Sequence, residues 1–112
     1  MLKREYRLCL RRDFNRVYRR GQSIAVPAFV LYRWKNGGGA PRLGFSVSKK
    51  IGKAVVRNRI KRRFRAAVRE EFSCFDAGYD YIFVVRRAAL DMDYAALRAA
   101  IVKGAVAAGR KH

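Results

Sequence analysis

Acidic residues are scarce in this chain of 112 residues. Eight Asp and Glu residues stand against 27 Lys and Arg residues, which gives a formal net charge of +19. This imbalance disfavours a cationic partner and predicts a polyanionic one, such as a nucleic acid. Because 51% of the residues are apolar, the composition is that of a globular protein and not of a disordered basic tail.

Residues that hold metals or carry out protein-based catalysis are also few. The single histidine is the last residue, His112, where a positioned general base is not expected. Cys9 and Cys74 form no CxxC pair, so we expect two buried free thiols. The adjacent Glu70 and Glu71 do not have the spacing of a metal-binding carboxylate cluster. The sequence therefore predicts no catalytic residue and no metal site within this chain.

Long hydrophobic runs are absent as well. No stretch approaches the roughly 20 apolar residues of a membrane span. The first residues, MLKREYRLCLRRDF, lack the apolar core of a signal peptide. We expect a soluble, cytoplasmic protein that forms one domain over residues 1–112.

Residue periodicity predicts the helices and strands. Apolar residues at helical spacing over 10–20, followed by Gly21, predict a first helix with a glycine C-cap. The run SIAVPAFVLYRWK predicts a strand, with Pro27 marking an edge or a bulge. Residues 42–48 alternate between large apolar and small side chains, and 79–85 are an unbroken apolar run that suits a central strand.

Two further helices complete the pattern. A basic helix follows the alternating strand, and an alanine-rich helix at the end has Asp93 as its expected N-cap. Gly104 should weaken that last helix by roughly 1 kcal/mol relative to Ala. The order of elements predicts an α/β (α+β) sandwich with helices on one sheet.

The basic helix contains the most informative stretch, VRNRIKR, at residues 56–62. Val56 and Ile60 stand four apart, which anchors one side of the helix and leaves cations on the other. Asn58 both donates and accepts, so it suits a phosphate, a bound water or a base edge. Charge runs are usually solvated surfaces, but this one lacks the interleaved Glu of i,i+4 pairs. We expect an RNA-docking face made of Lys49, Lys50, Lys53, Arg57, Asn58, Arg59, Lys61, Arg62 and Arg65.

Aromatic residues suggest a second RNA contact. Phe14 and Tyr18 are four apart and share one side of the first helix, near several Arg residues. Single-stranded RNA is commonly held by aromatic stacking beside positive charge. By periodicity alone, a place in the core is the more common outcome for such rings.

Residues 46–65, SVSKKIGKAVVRNRIKRRFR, closely resemble the signature of the bacterial ribonuclease P protein component. Arg57, Asn58 and Arg59 match its RNR motif. RRDFNRVYRRG resembles the family's first helix, FVLYR its first long strand, and YDYIFVVRRAA its strand after the basic helix. Tyr18 stands where the family more commonly has Phe.

The resemblance implies a function and a set of partners. The family protein binds a large catalytic RNA, and the complex removes the 5′ leader of precursor tRNA with Mg²⁺ held mainly by the RNA subunit and the substrate. The active centre is then in the RNA. One protein per RNA, no obligate protein partner and no membrane are expected. The alternative is a small structural, ribosomal-type RNA-binding protein with no role in an enzyme.

The resemblance also implies a fold and a leader site. The fold would be one mixed sheet of about four strands packed with helices, ribosomal protein S5 domain 2-like, with a left-handed β-α-β crossover where general rules favour a right-handed one. The leader would lie as a single strand between the sheet and the first helix. Its expected contacts are Phe14, Tyr18, Tyr32, Ser46 and Ser48.

The net charge predicts that anions stabilise the fold. Self-repulsion of a few kcal/mol would be a large part of the roughly 5–15 kcal/mol that holds a domain together. At low ionic strength we expect the free protein to be partly unfolded, and sulfate to restore it better than chloride at matched ionic strength. Far-ultraviolet circular dichroism during a sulfate titration measures this. A fully folded and equally heat-stable protein in anion-free buffer would contradict it.

Overall fold

The computed structural model describes residues 4–110, except for the side chain of Arg110; His112 lies outside the described residues. Within these residues four strands form one sheet. The strands are β1 (Gln22–Val26), β2 (Phe29–Lys35), β3 (Arg42–Ser46) and β4 (Tyr79–Val85). The helices are α1 (Arg11–Arg20), α2 (Ala54–Glu70) and α3 (Tyr94–Arg110).

The sheet is mixed, with the strand order β1-β2-β4-β3. β1 pairs antiparallel with β2, and β2 with β4, whereas β3 pairs parallel with β4. Because parallel neighbours need a crossover connection, α2 joins them as a β3-α2-β4 unit. The prediction of one mixed four-stranded sheet packed with helices is confirmed. The left-handed sense of the crossover stays a prediction from the family resemblance.

The run from Ser23 to Lys35 is not one strand. It forms a hairpin in which Val26 lies opposite Phe29 and the chain turns at Pro27 and Ala28. Proline has no N–H to donate to a ladder, so pairing stops there and the chain reverses. The carbonyl of Ala28 instead accepts a hydrogen bond from the backbone N–H of Arg86 at 2.9 Å. Pro27 therefore separates two strands and does not mark a bulge within one.

The two faces of the sheet are covered unequally. On one face, α2 and α3 enclose the larger core, which includes Phe29, Phe83 and Phe64. Full burial of each such side chain is worth about 1.5–3 kcal/mol. On the other face, α1 packs through Val17 over Ile82. A helix of 10 residues is only about 15 Å long, so part of this second face stays open beside α1.

Local predictions at caps and cysteines had mixed outcomes. The Asp93 cap is confirmed, since its Oδ1 accepts a hydrogen bond from the backbone N–H of Ala96 at 2.8 Å. The two cysteines are not both buried: Cys9 is exposed and Cys74 is half-buried. Cys9 precedes α1, where the neighbouring Leu8 supplies the buried apolar side chain. Partial burial, and then the charge of Glu71, raise the pKa of the Cys74 thiol.

Gly104 is needed for packing, although glycine is a poor helix former. A Cβ at this position would lie 2.9 Å from two ring atoms of Phe29. Phe29 is fully buried, so its ring cannot move aside without disturbing the core. The glycine lets α3 approach β2 closely, and the local cost to the helix is the smaller effect.

We therefore expect Gly104→Ala to destabilise the protein, although Ala is the better helix former. Overpacking of about 1–3 kcal/mol outweighs the roughly 1 kcal/mol that propensity returns. Gly109→Ala is the matched control, because a Cβ there meets its nearest atom, Asp76 Oδ2, at an ordinary 3.5 Å. Urea denaturation in sulfate buffer measures both variants. A Gly104→Ala variant at least as stable as the parent would show that the core absorbs the methyl group.

Candidate nucleic-acid interface

The basic helix α2 is anchored as its sequence predicts. Ile60, Phe64, Ala67 and Val68 are buried in the larger core, while Val56 at the helix start is half-buried. This stripe fixes which side chains point away from the sheet. The remaining circumference of α2 carries the cations.

The cations of the docking face have no carboxylate partners. Across residues 4–110, no ion pair involves Arg57, Arg62 or Arg65. The two glutamates at the end of α2 instead pair with Arg98 of α3, at 3.2 and 3.0 Å. The charge of the docking face is therefore available to an external anion.

The helical positions divide the docking face into parts. Arg57, Lys61 and Arg65 follow one another at i,i+4 and are half-buried, and the Arg65 guanidinium lies 5.9 Å from the centre of the Phe45 ring of β3. Asn58 and Arg62 are exposed and point further from the sheet. These five residues share one side of the helix.

Arg59 lies on the opposite flank of α2 from the Arg65 row. It lines a pocket with Arg63 and Leu90. Arg63 is tied down there, because its Nη2 donates to the carbonyl of Met92 at 2.8 Å. Within the RNR motif, Arg59 therefore points in a different direction from Arg57, which belongs to the Arg65 row.

Three lysines of the docking face gather before the first turn of α2. Lys49 and Lys50 lie in a 3-10 turn (Lys49–Ile51), and Lys53 is the N-cap. All three are exposed. Lys53 makes no side-chain cap and the first turn contains no acid, so the N-terminal amides and the lysines attract an anion together.

The predicted aromatic contacts also converge. The Tyr18 ring lies 5.0 Å from Tyr32, edge to face, and 6.3 Å from Phe14. Ser46 of β3 lies near enough to the Tyr18 hydroxyl to lower the pKa of Tyr18. We call these four residues, Phe14, Tyr18, Tyr32 and Ser46, the aromatic cleft. Ser48 lies two residues beyond β3 and is exposed, so it stands outside this cluster.

The rings of the aromatic cleft are only partly covered. Phe14 packs on the small core under α1 but is half-buried, and Tyr18 remains 36% exposed. Burial raises the pKa of Tyr18, and the nearby Ser46 hydroxyl offsets this only in part. Tyr18 is therefore neutral at physiological pH and can donate its hydroxyl proton.

The face of β3 beneath Phe14 has room only for small residues, as Gly44 shows. A Cβ at Gly44 would lie 2.5 Å from Cζ of Phe14. The Phe14 ring thus rests directly on the backbone of the strand. Any larger residue would lift Phe14 and change the shape of the aromatic cleft.

One cavity joins the aromatic cleft to the docking face. It has a volume of about 230 Å³, and its lining includes Phe14, Arg65, Arg7 and Phe45. Phe14 belongs to the cleft and Arg65 to the docking face. The two predicted sites are therefore neighbours on a single surface.

No metal centre accompanies this surface in the part of the chain that the structure describes. There, no three His, Cys, Asp or Glu side chains are grouped so that they could hold a metal ion. Within residues 4–110, no helix is long and apolar enough to cross a membrane.

Comparisons with known proteins identify the family. The family model for ribonuclease P matches residues 2–108. The ribonuclease P protein component of Symbiobacterium thermophilum is 46% identical over 98 residues, which cover 87% of this chain and 85% of the relative. That of Listeria monocytogenes is 41% identical over 102 residues, 90% of this chain and 86% of the relative.

The chain belongs to the ribonuclease P protein family.

Solved structures agree with the family assignment. A Staphylococcus aureus RNase P protein, a mutant with defective mRNA degradation activity, has a TM-score of 0.86 and 37% identity, covering 94% of this chain and 89% of that one. The RNase P protein of Thermotoga maritima has a TM-score of 0.84 and 31% identity, covering 90% and 96%. These relatives support the ribonuclease P hypothesis, and none of them supports the structural RNA-binding alternative.

In this family member an ionic network holds α1 on the sheet. Arg42 of β3 donates two hydrogen bonds to Asp80, at 2.9 and 2.8 Å, and lies 3.7 Å from Asp13 of α1. Asn36 also donates to Asp80 at 3.1 Å. Asp13 and Asp80 are buried. The hydrogen bond with Asp80, and then the charges of both carboxylates, keep the pKa of Arg42 above its ordinary value.

Sequence reasoning missed this network, although a signal was present. Asp80 interrupts an otherwise apolar strand, and Asp13 is the single acid in a strongly basic helix. A carboxylate in such a place is rarely buried without a partner. The network matters for the site because Asp13 directly precedes Phe14 and so fixes where the ring lies.

We expect Asp13→Asn to lower the free energy of unfolding by about 1–2 kcal/mol, because Arg42 loses a buried charged partner while keeping Asp80. Arg16→Gln is the control. Its guanidinium also lies 3.7 Å from Asp13, but its side chain is more exposed than that of Arg42 and makes no second ion pair within residues 4–110, so its loss should cost under about 0.5 kcal/mol. Urea denaturation in sulfate buffer gives both values. Equal stability of the two variants would mean that the Asp13–Arg42 contact contributes nothing.

Proposed function

We propose that this chain is the ribonuclease P subunit that binds the catalytic RNA through the docking face and holds the 5′ leader of precursor tRNA in the aromatic cleft. The observation that carries the proposal is the cavity shared by Arg65 and Phe14. A structural RNA-binding protein needs only the docking face. A subunit that presents a substrate strand to a catalytic RNA needs both surfaces side by side.

The docking face suits an RNA backbone. Its arginines can each make paired hydrogen bonds with phosphate oxygens, and their positive charge is unopposed by local acids. Binding would release counterions, so affinity should fall as salt rises. Asn58, exposed among these cations, offers the amide that can read a base edge or hold a water.

The aromatic cleft suits a single strand. Bases can stack on the open sides of Phe14 and Tyr18, and the tyrosine hydroxyl can donate to a base or phosphate. The short Ser46 side chain lets a backbone pass close to β3. Because every base has a stacking face, this mode tolerates many leader sequences.

Chemistry is assigned to the RNA subunit, with Mg²⁺ held mainly by that RNA and the substrate. The donor set of the described residues does not fit a resident metal, and Asp13, Asp76 and Asp80 are all engaged with arginines. The contribution of this chain is to bind and orient RNA and to screen phosphates with its cations. We further propose one protein per RNA in the cytoplasm, with no obligate protein partner.

The cleft assignment predicts a selective loss of substrate binding. With the catalytic RNA present, Tyr18→Leu should weaken binding of precursor tRNA by about 1–3 kcal/mol, the value of one stacked base, and leave mature tRNA unaffected. Arg62→Gln should instead weaken binding of the catalytic RNA and lower its salt slope by roughly one unit. Equilibrium binding at several salt concentrations measures both.

Controls separate these effects from misfolding and from protein-based catalysis. Arg12→Gln removes an exposed charge on α1 that lies outside both surfaces. It should not change the affinity for precursor tRNA relative to mature tRNA, nor that for the catalytic RNA. Equal losses for precursor and mature tRNA in the Tyr18→Leu variant would assign Tyr18 to the core. Magnesium-dependent cleavage by highly purified, RNA-free protein would place the chemistry in this chain and overturn the proposal.

A further inference from the structure

A separate pocket lies where α1 ends and β1 begins. Its volume is about 480 Å³, within the range of small-molecule sites. None of its lining residues belongs to the docking face or the aromatic cleft. The pocket is lined by Arg20, Gln22, Arg33, Trp34, Lys35 and Tyr79.

One wall of this Trp34 pocket is rigid. Arg33 is only 3% exposed, and its Nη1 donates to Asp76 at 2.8 Å and to the Tyr81 hydroxyl at 3.3 Å. Its guanidinium lies 3.9 Å from the centre of the Tyr79 ring, a cation–π contact. The wall is therefore fixed before any ligand arrives.

The rest of the lining combines an anchored indole with exposed cations. Trp34 packs against the small core beneath α1 and is half-buried. Arg20 and Lys35 are exposed, and neither makes an ion pair within the part of the chain that is described. Gln22 adds an exposed amide that can donate and accept.

Among residues 4–110, no carboxylate lines the pocket. Asp76 accepts from Arg33 of the lining, and Asp80, the cross-strand partner of Trp34, accepts from Arg42 and Asn36. The pocket therefore presents positive charge around aromatic surface. An anionic ligand with a planar, stackable part fits this combination.

We infer that the Trp34 pocket binds one unpaired nucleotide of RNA, its base against Trp34 and its phosphate between Arg20 and Lys35. A phosphorylated or acidic peptide would use the cations but not the indole, which is why RNA is the better match. The inference rests on the proposed function in that the partner of the chain is RNA. The nucleotide comes from the catalytic RNA or from the precursor tRNA, since both offer the same chemistry.

Trp34 is the single tryptophan of the chain, so its emission reports on this pocket directly. Selective excitation of the full-length protein is followed during titration with the catalytic RNA, with precursor tRNA and with an acidic peptide. End-labelled RNA anisotropy measures binding in parallel. We expect one of the two RNAs to quench the emission at least twofold, which identifies the source, and the peptide to leave it unchanged.

Exposed-residue variants keep the test independent of folding. The double variant Arg20→Gln, Lys35→Gln should raise the RNA concentration for half-maximal quenching about tenfold, whereas Arg12→Gln, an exposed charge of α1 that does not line the pocket, should leave it unchanged. RNA binding without any change of Trp34 emission overturns the inference. So does quenching that the double variant leaves unchanged, or equal quenching by the peptide. If Tyr18→Leu weakens precursor and mature tRNA equally while RNA still quenches Trp34 in the parent protein, the aromatic cleft is refuted as the leader site. The inference about the Trp34 pocket is then unaffected.

Discussion

The contact of Arg42 with Asp13 and Asp80 is the interaction on which the surface around α1 depends. It fixes α1, a short helix with little buried area of its own, on the open face of the sheet. The placement of α1 then sets the aromatic cleft on one side and the Trp34 pocket at its end. The position of α1 shapes both the aromatic cleft and the Trp34 pocket, so the Arg42 network affects both.

The scarcity of acids gives this arrangement its electrostatic logic. Six of the eight carboxylates serve structural contacts: three with Arg42 or Arg33, two with Arg98, and one as the cap of α3. None of these contacts involves a cation of the docking face. Most carboxylates thus take part in contacts within the protein, while the cations of the docking face remain available to a polyanion.

Local patterns in the sequence predict the elements of this fold well, and long-range contacts poorly. Helical periodicity located α2, alternation located β3, and an unbroken apolar run located β4, because burial on one side or on both sides of an element shows in its local sequence. The hairpin at Pro27, the close approach at Gly104 and the Arg42 network were missed. The Gly104 contact and the Arg42 network depend on residues far away in the chain that no local pattern specifies, whereas the hairpin is local, and Pro27 alone does not distinguish a turn from an edge or a bulge. For the site, residue types and family resemblance named the aromatic residues, but only the fold shows that Phe14 adjoins Arg65 and that Ser48 stands apart.

The strand order has a consequence for how the protein is made. β4 lies between β2 and β3, so the sheet is complete only when β4 pairs with both. Lys35 then lies opposite Tyr79, and Phe45 lies opposite Phe83. During synthesis the β1–β2 hairpin can form first, but α1 has no finished surface to pack on until β4 has left the ribosome. The aromatic cleft and the Trp34 pocket, which both lie beside α1, therefore form together, late in translation, and a nascent chain that stops before β4 is made has neither.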